Sequence, residues 1–142
     1  MTEVLIVIGI FALVGTITFY FFAGFSKKAT LEKDTAALTA LINNAKVLSF
    51  ASKNTSVFGI RLENDKAVLF RGASYVPGGE DEKVVVFANN VYLYSHSLNG
   101  GGSEIIFDRL TGNTSNYGTI VLSLTDHSAS TTITILPTGV IE

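Results

Sequence analysis

Hydrophobic and polar positions follow three different patterns along the chain. Residues 4–25 form an apolar run without a charged residue, in which only Thr16, Thr18 and Tyr20 carry polar side-chain atoms. A helix over this run measures roughly 30 Å at about 1.5 Å per residue, which is the thickness of a bilayer core. The pattern therefore predicts a hydrophobic helix over residues 1–25 that protrudes or spans a membrane.

Residues 26–52 continue the helix with a different pattern. Apolar residues recur there at three- and four-residue steps, at Leu31, Leu38, Leu41, Ile42, Ala45 and Leu48. Charged and amide residues, Asp34 among them, fall largely between these positions, so the spacing predicts an amphipathic helix with one core-facing stripe. Because residues 1–52 contain no proline, both segments can form one rod of roughly 75 Å at about 1.5 Å per residue.

From residue 53 the period changes from that of a helix to that of a strand. Short runs rich in β-branched and aromatic residues alternate with turn-forming pieces such as Pro77-Gly78-Gly79. They predict antiparallel strands joined as hairpins over residues 53–142. The stripe of residues 26–52 can cover the buried face of these strands. The predicted fold class is α+β, a long N-terminal helix with a small antiparallel β-sheet domain.

The composition of the chain argues against several classes of binding site and catalytic site. The formal net charge is −2, and the lysines and arginines are scattered, so no basic face is available for a phosphate backbone. The absence of cysteine excludes disulfides, thiolate zinc sites and thiol nucleophiles. His96 and His127 have no metal-ligand partner at the required spacing, and the acidic run 80–82 lacks the spacing of a calcium loop. We expect no catalysis, no cofactor, no metal and no nucleic acid.

Lys27 and Lys28 follow the apolar run directly and, by the positive-inside rule, would hold the rest of the chain in the cytoplasm. The rest of the chain is nevertheless rich in glycine, serine, threonine and asparagine, as exported domains are. A short basic leader that is removed after synthesis would resolve the conflict. We therefore expect the sequence to be a mature form. A secretory signal peptide fits less well, because its apolar region has about 7–15 residues after a basic start.

The start TEVLIVIGI, the long helix and the small sheet together resemble the type IV pilin superfamily over the whole chain. The part after Phe50 is similar to the GspH/FimT-like group of minor pseudopilins, through ASKNTSVFGIRLE, GGSEIIFDRLTGNTSNYGTIVLSL and TITILPTGVIE. The resemblance implies a structural subunit that polymerises through its hydrophobic helix into an extracellular filament. It implies as partners further copies of the chain, other pilins, the assembly machinery, a prepilin peptidase during processing, and the inner membrane before assembly.

The resemblance also implies roles for particular residues. Glu3 would pair with the N-terminal amine of Met1 in a neighbouring subunit, because a carboxylate among apolar helices needs an opposite charge. Helix packing in the filament would involve Val4, Leu5, Val7, Ile8, Ile10, Phe11, Leu13 and Val14. Local unwinding would begin where a glycine meets β-branched residues, at Gly15, Thr16, Ile17 and Thr18.

The chain departs from the family pattern at two positions. The family acid is usually fifth in the mature chain and here is third, and Tyr20 stands where many members carry a proline. The alternative function is a low-copy minor pilin or type II secretion pseudopilin that primes or tips a filament, with ligand or DNA binding as a further option. A DNA-binding subunit should carry a basic patch, and no lysine or arginine follows Arg109.

Overall fold

The computed structural model describes residues 2–79 and 81–142, and for residues 17–25 it describes the backbone alone. Helix α1 occupies Thr2–Phe50 and is followed by a 3-10 turn at Lys53–Thr55. The strands are β1 Phe58–Leu62, β2 Lys66–Arg71, β3 Lys83–Val86, β4 Val91–Leu98, β5 Glu104–Phe107, β6 Gly118–Leu124 and β7 Ser130–Ile135. Each strand overlaps one of the runs in which the β-branched and aromatic pattern predicts a strand.

The strands form two antiparallel sheets, so the prediction of one small sheet is wrong. The first sheet has the order β3-β2-β1-β5, and the second has the order β4-β6-β7. The division arises because β5 pairs with β1, placing Phe107 opposite Phe58, instead of pairing with its chain neighbour β4. Alternation along a strand indicates which face is buried and not which strand lies beside it, so the sequence pattern does not reveal this crossover.

The prediction that residues 1–25 span a membrane is also wrong. Among the described residues, no helix is both long and apolar enough to cross a bilayer.

One core is shared by the helix and both sheets. The apolar stripe in the second half of α1 is almost fully buried, with exposures of 0–2% for Leu31, Leu38, Leu41, Ile42 and Ala45. Leu48 is partly buried against the same cluster. The inward side chains that meet the stripe come from both sheets and include Phe58, Ile60, Ile120 and Leu122. The three- and four-residue spacing therefore identified the packed face of the helix correctly.

The end of α1 is fixed to the first sheet by Ser49, which is fully buried. Its Oγ accepts a hydrogen bond from the Phe58 N–H at 2.8 Å and donates to the Phe58 carbonyl oxygen at 3.3 Å. The Ser49 carbonyl accepts a further bond from the Leu110 N–H at 3.1 Å. The chain then turns away through left-handed backbone at Ser52 and Asn54. The last turn of the helix thus has partners for polar groups that a helix end leaves unsatisfied.

Asp34 is a buried carboxylate on the second half of α1, residues 26–50, which packs against the sheets and is called the packed half below. Its side chain accepts a hydrogen bond from the Ala88 N–H at 2.7 Å, and the residue is only 7% exposed. Ala88 lies between β3 and β4, so this bond ties the middle of the helix to the connection between the two sheets. The sequence pattern placed Asp34 among the polar positions that separate the stripe residues. A single buried acceptor leaves no periodic signal from which its partner could be found.

Candidate assembly surface

The first turns of α1 expose apolar side chains on every side. The exposed fractions are 61% for Val4, 70% for Leu5, 62% for Ile6 and 50% for Val7. Because an α-helix has about 3.6 residues per turn, four consecutive positions encircle its axis. The surface continues at 54–74% exposure through Ile8, Ile10, Phe11, Leu13 and Val14. We call residues 4–14 the apolar segment.

The apolar segment has the character of an interaction surface. Apolar surface gains about 25 cal/mol for each Å² that is removed from water, and large contiguous exposed patches mark contacts with a protein or a membrane. A helix that is apolar all round is stable only when it is buried all round. The described part of this chain leaves these side chains exposed, so the apolar segment is available for contact on every side of the helix.

Glu3 lies in the first turn of α1, directly before the apolar segment, and is exposed. A carboxylate at this end of a helix interacts favourably with the free N–H groups and the positive end of the helix dipole. Met1, whose amine is the expected partner of Glu3 in a neighbouring subunit, lies outside the described residues. The charge pair between subunits therefore stays a prediction.

Gly15 and Thr16 lie within the uninterrupted helix α1. The Thr16 hydroxyl oxygen is 3.1 Å from the Ala12 carbonyl oxygen and 2.9 Å from that of Leu13, to which it donates. Such bonds to the preceding turn slightly destabilise or bend a helix. A Cβ atom added at Gly15 would meet no described atom of the rest of the chain within 4 Å, so packing among the described residues does not require a glycine there. The side chains of Ile17 and Thr18 lie outside the described residues, and local unwinding stays a prediction.

An ion pair joins α1 to the second sheet. Lys27 Nζ lies 2.7 Å from Oδ2 of Asp126, which is in the turn between β6 and β7. The other carboxylate oxygen accepts bonds from the Ser128 N–H at 3.0 Å and the Ser128 hydroxyl at 2.6 Å. The hydrogen bond from Lys27, followed by those from Ser128, holds the pKa of Asp126 well below its usual range. Because both partners are about half exposed, the pair contributes little stability and mainly fixes the position of the turn against the helix.

The acidic run 80–82 has a structural role in its described members. Asp81 accepts hydrogen bonds from three side chains, those of Lys53, Asn54 and Arg71. The bond from Lys53 contributes most to holding the pKa of Asp81 below its usual range. Glu80 lies outside the described residues. Among the residues that the structure describes, no group of three histidines, cysteines or carboxylates is placed to hold a metal ion.

The two histidines lie in different surroundings. His96 is exposed on β4, whereas His127 contacts the rings of Tyr92 and Tyr94, with ring centroids 6.1 Å and 5.9 Å from its own. The Tyr92 hydroxyl oxygen is 3.3 Å from Nδ1 of His127. This aromatic cluster is absent from the sequence-based predictions, because only the pairing of β4 with β6 brings the turn that carries His127 next to the tyrosines.

Comparisons of the chain with protein-family models, with curated proteins and with solved structures found no match. The interpretation of function therefore rests on the residues themselves. The feature that stands out is the apolar segment, with Glu3 at its end.

Proposed function

We propose that the chain is a structural subunit that assembles through its N-terminal helix, with further copies of itself, into an extracellular filament of the type IV pilus kind. The observation that carries the proposal is the exposure of residues 4–14 on all sides of α1. A dimer would cover one side of such a helix. A helical homopolymer surrounds each helix with several copies, and repeated head-to-tail contacts of this kind generate open filaments.

The energetics favour repeated contacts over a single one. Full burial of a valine, leucine, isoleucine or phenylalanine side chain stabilises by about 1.5–3 kcal/mol, so the nine such side chains of the apolar segment offer roughly 20 kcal/mol if they are covered on every side. Association of two molecules costs about 4–15 kcal/mol in lost freedom of motion. A single pairwise contact covers only one side of the helix and gains a fraction of this energy, so it would be weak. A polymer combines several partial contacts for each subunit and becomes stable.

Glu3 would supply the register that apolar packing lacks. Contacts between aliphatic side chains are not directional, so neighbouring helices could slide along one another. A carboxylate that loses water in the assembled helices is costly unless a cation meets it, and this cost selects one axial offset. The amine of a neighbouring subunit is the cation that the family resemblance implies. In this view the apolar segment supplies the affinity and Glu3 supplies the alignment.

The first experiment tests the apolar segment with a matched pair of phenylalanines. The full chain is purified in a mild non-ionic detergent, the detergent is diluted, and polymer is measured by sedimentation and electron microscopy. Phe11 is 74% exposed in the apolar segment, and Phe50 is 60% exposed at the other end of the same helix. Phe11→Ser should abolish filaments, and Phe50→Ser should leave them unchanged. Equal effects of the two changes would remove the apolar segment as the basis of assembly.

The second experiment tests the charge of Glu3. Glu3→Gln keeps the size of the side chain and removes its charge, and Glu32→Gln makes the same change at an exposed position on the packed half. Because an unpaired amine would remain among apolar helices, we expect Glu3→Gln to reduce polymer yield by about tenfold or more. Glu32→Gln should have no effect. Normal assembly of Glu3→Gln would show that the charge pair is not needed.

A further inference from the structure

The loop between β4 and β5 contains the one asparagine of the chain that is followed by glycine. Asn99 directly follows β4, and Gly100, Gly101 and Gly102 come after it. All four residues are exposed, and the three glycines have positive φ values of 69–86°. Glycine adopts such backbone at no steric cost because it has no Cβ. An exposed asparagine side chain therefore stands beside a backbone nitrogen that no side chain shields.

The two groups that can react with each other are accessible. The Gly100 N–H has no hydrogen-bond acceptor among the described residues, whereas the next N–H along the chain, that of Gly101, donates to the Leu98 carbonyl oxygen at 3.1 Å. The Asn99 side chain is held by a single exposed bond, in which Nδ2 donates to the Ser115 carbonyl oxygen at 3.0 Å. Such a bond contributes little net stability, since water can replace either partner. The side chain is therefore able to turn towards the Gly100 nitrogen.

We propose that Asn99 is a site of spontaneous deamidation through a cyclic imide formed with Gly100. Solvent base takes the proton of the Gly100 backbone nitrogen, this nitrogen forms a bond to Cγ of Asn99, and the Nδ2 group leaves as ammonia. Water then adds to one of the two imide carbonyl groups and opens the ring. Opening next to the Gly100 nitrogen at the side-chain carbonyl gives aspartate, and opening at the main-chain carbonyl gives isoaspartate. Water is the only co-reactant.

A second asparagine shows why the following residue decides. Asn113 is also exposed, but it is followed by Thr114, which is only 4% exposed. The Thr114 N–H donates to the Pro137 carbonyl oxygen at 2.9 Å, and its side chain carries two heavy atoms on Cβ. A nitrogen that is already bonded and lies beside a branched side chain is hindered from attack. Gly100 has neither obstacle, so Asn99 and Asn113 form a matched pair within one chain.

The reaction changes how the loop is attached to the segment before β6. In the unmodified chain Asn99 donates to the Ser115 carbonyl oxygen, and Nδ2 of Asn116 donates to the Asn99 carbonyl oxygen at 3.4 Å. An ionised carboxylate at position 99 has no proton to donate, so it would face the Ser115 oxygen with acceptors alone. Each event also adds one negative charge to the net charge of −2. Because the change is irreversible, the fraction converted records the age of the molecules, independently of how they assemble.

The test incubates the full chain in mild non-ionic detergent at mildly alkaline pH, in heavy-oxygen water. Aliquots are checked for folding by circular dichroism and digested with pepsin in acid, where this reaction is slow, and the peptides are analysed by mass spectrometry. We expect the peptide with Asn99 to gain one heavy oxygen and to give both aspartate and isoaspartate. Its rate should exceed that at Asn113 by about tenfold or more, because glycine leaves the attacking nitrogen unshielded.

Two variants and one peptide make the result decisive. Gly100→Ala places a methyl group beside the attacking nitrogen and should slow the reaction by about tenfold. Gly101→Ala is the matched control, because it adds the same group at another positive φ, one residue further on, and should leave the rate unchanged. A synthetic peptide SLNGGGS supplies the rate without the fold. The proposal is overturned if Asn99 stays unmodified in the folded chain while the peptide converts, if aspartate is the only product, or if Gly100→Ala reacts as fast as the unchanged chain.

Discussion

The two halves of helix α1 are both rich in large apolar residues, yet they differ in what covers them. Leu13 is 62% exposed, whereas Leu38, on the same helix, is fully buried. The difference lies in the polar residues. In the second half they restrict most of the large apolar residues to one stripe, which a sheet can cover from one side, and only Val47 and Phe50 are exposed at the end of the helix. In the apolar segment no polar residue interrupts the circumference, so a sheet packed on one side could not cover it, and its side chains are exposed.

The largest expected effect is the difference in unfolding free energy between variants of Leu38 and Leu13. Leu38→Ala removes buried atoms and leaves a cavity, and should lower the free energy of unfolding by about 3 kcal/mol. Leu13→Ala should change it by less than about 0.5 kcal/mol, because the side chain is already in contact with solvent. Urea unfolding of the full chain in mild detergent, followed by circular dichroism, measures both. Similar losses for the two variants would break the comparison.

The next largest loss of unfolding free energy is expected from Asp34, which accepts a hydrogen bond from the Ala88 N–H between the two sheets. Asp34→Ala leaves the partly buried Ala88 N–H without its acceptor and should cost about 1–2 kcal/mol of unfolding free energy. Asp34→Asn keeps an oxygen acceptor and should cost less. Glu32→Ala, at an exposed position two residues away, is the control and should stay within about 0.5 kcal/mol. If Asp34→Ala were as mild as Glu32→Ala, packing alone would fix the helix on the sheets.

Ser49 makes a second polar contact between the packed half and the sheets, at the end of the helix. Its hydroxyl both accepts from the Phe58 N–H and donates to the Phe58 carbonyl oxygen. Ser49→Ala should therefore cost about 1–2 kcal/mol, since it leaves a buried N–H with no replacement acceptor. Ser52→Ala, just beyond the helix, is a control of the same chemistry, because Ser52 makes no side-chain capping bond. The same urea unfolding assay measures both, and an unchanged midpoint for Ser49→Ala would contradict the role given to this hydroxyl.

The parts of the fold that could be predicted from the sequence are those set by local periodicity. The stripe from Leu31 to Ala45 is buried as its spacing indicates, and the strands occur where β-branched residues alternate. The pairing of β5 with β1, the bond between Asp34 and Ala88, and the contact of His127 with Tyr92 all join residues distant in sequence. No periodic pattern encodes such contacts, and the hairpin assumption led to the wrong number of sheets.

A smaller effect on helix stability is expected at Gly15, which directly follows the apolar segment. Gly15→Ala should stabilise the local helix by about 1 kcal/mol, because glycine has the greater freedom in the unfolded chain. If assembly requires unwinding at residues 15–18, this change should reduce polymer yield severalfold. Gly9→Ala makes the same change inside the apolar segment and away from residues 15–18, so it measures what an added methyl group alone does to assembly; a Cβ at either glycine meets no described atom of the rest of the chain within 4 Å. Filaments formed equally well by both variants would mean that the helix stays intact on assembly.

The smallest effect belongs to the ion pair between Lys27 and Asp126, which ties the helix to the second sheet. Because the folded state lowers the pKa of Asp126, the pair stabilises the fold above the ordinary carboxyl pKa, about 3.9, and this contribution is lost as the pH falls through the lowered value. Asp126→Asn should therefore lower Tm slightly at neutral pH, with a difference that shrinks towards about pH 2 and in high salt. Lys27→Gln should reproduce the salt dependence, since it removes the other charge. A Tm difference for Asp126→Asn that stayed constant with pH would show that the ionised carboxylate, with its bonds from Lys27 and Ser128, does not stabilise the fold.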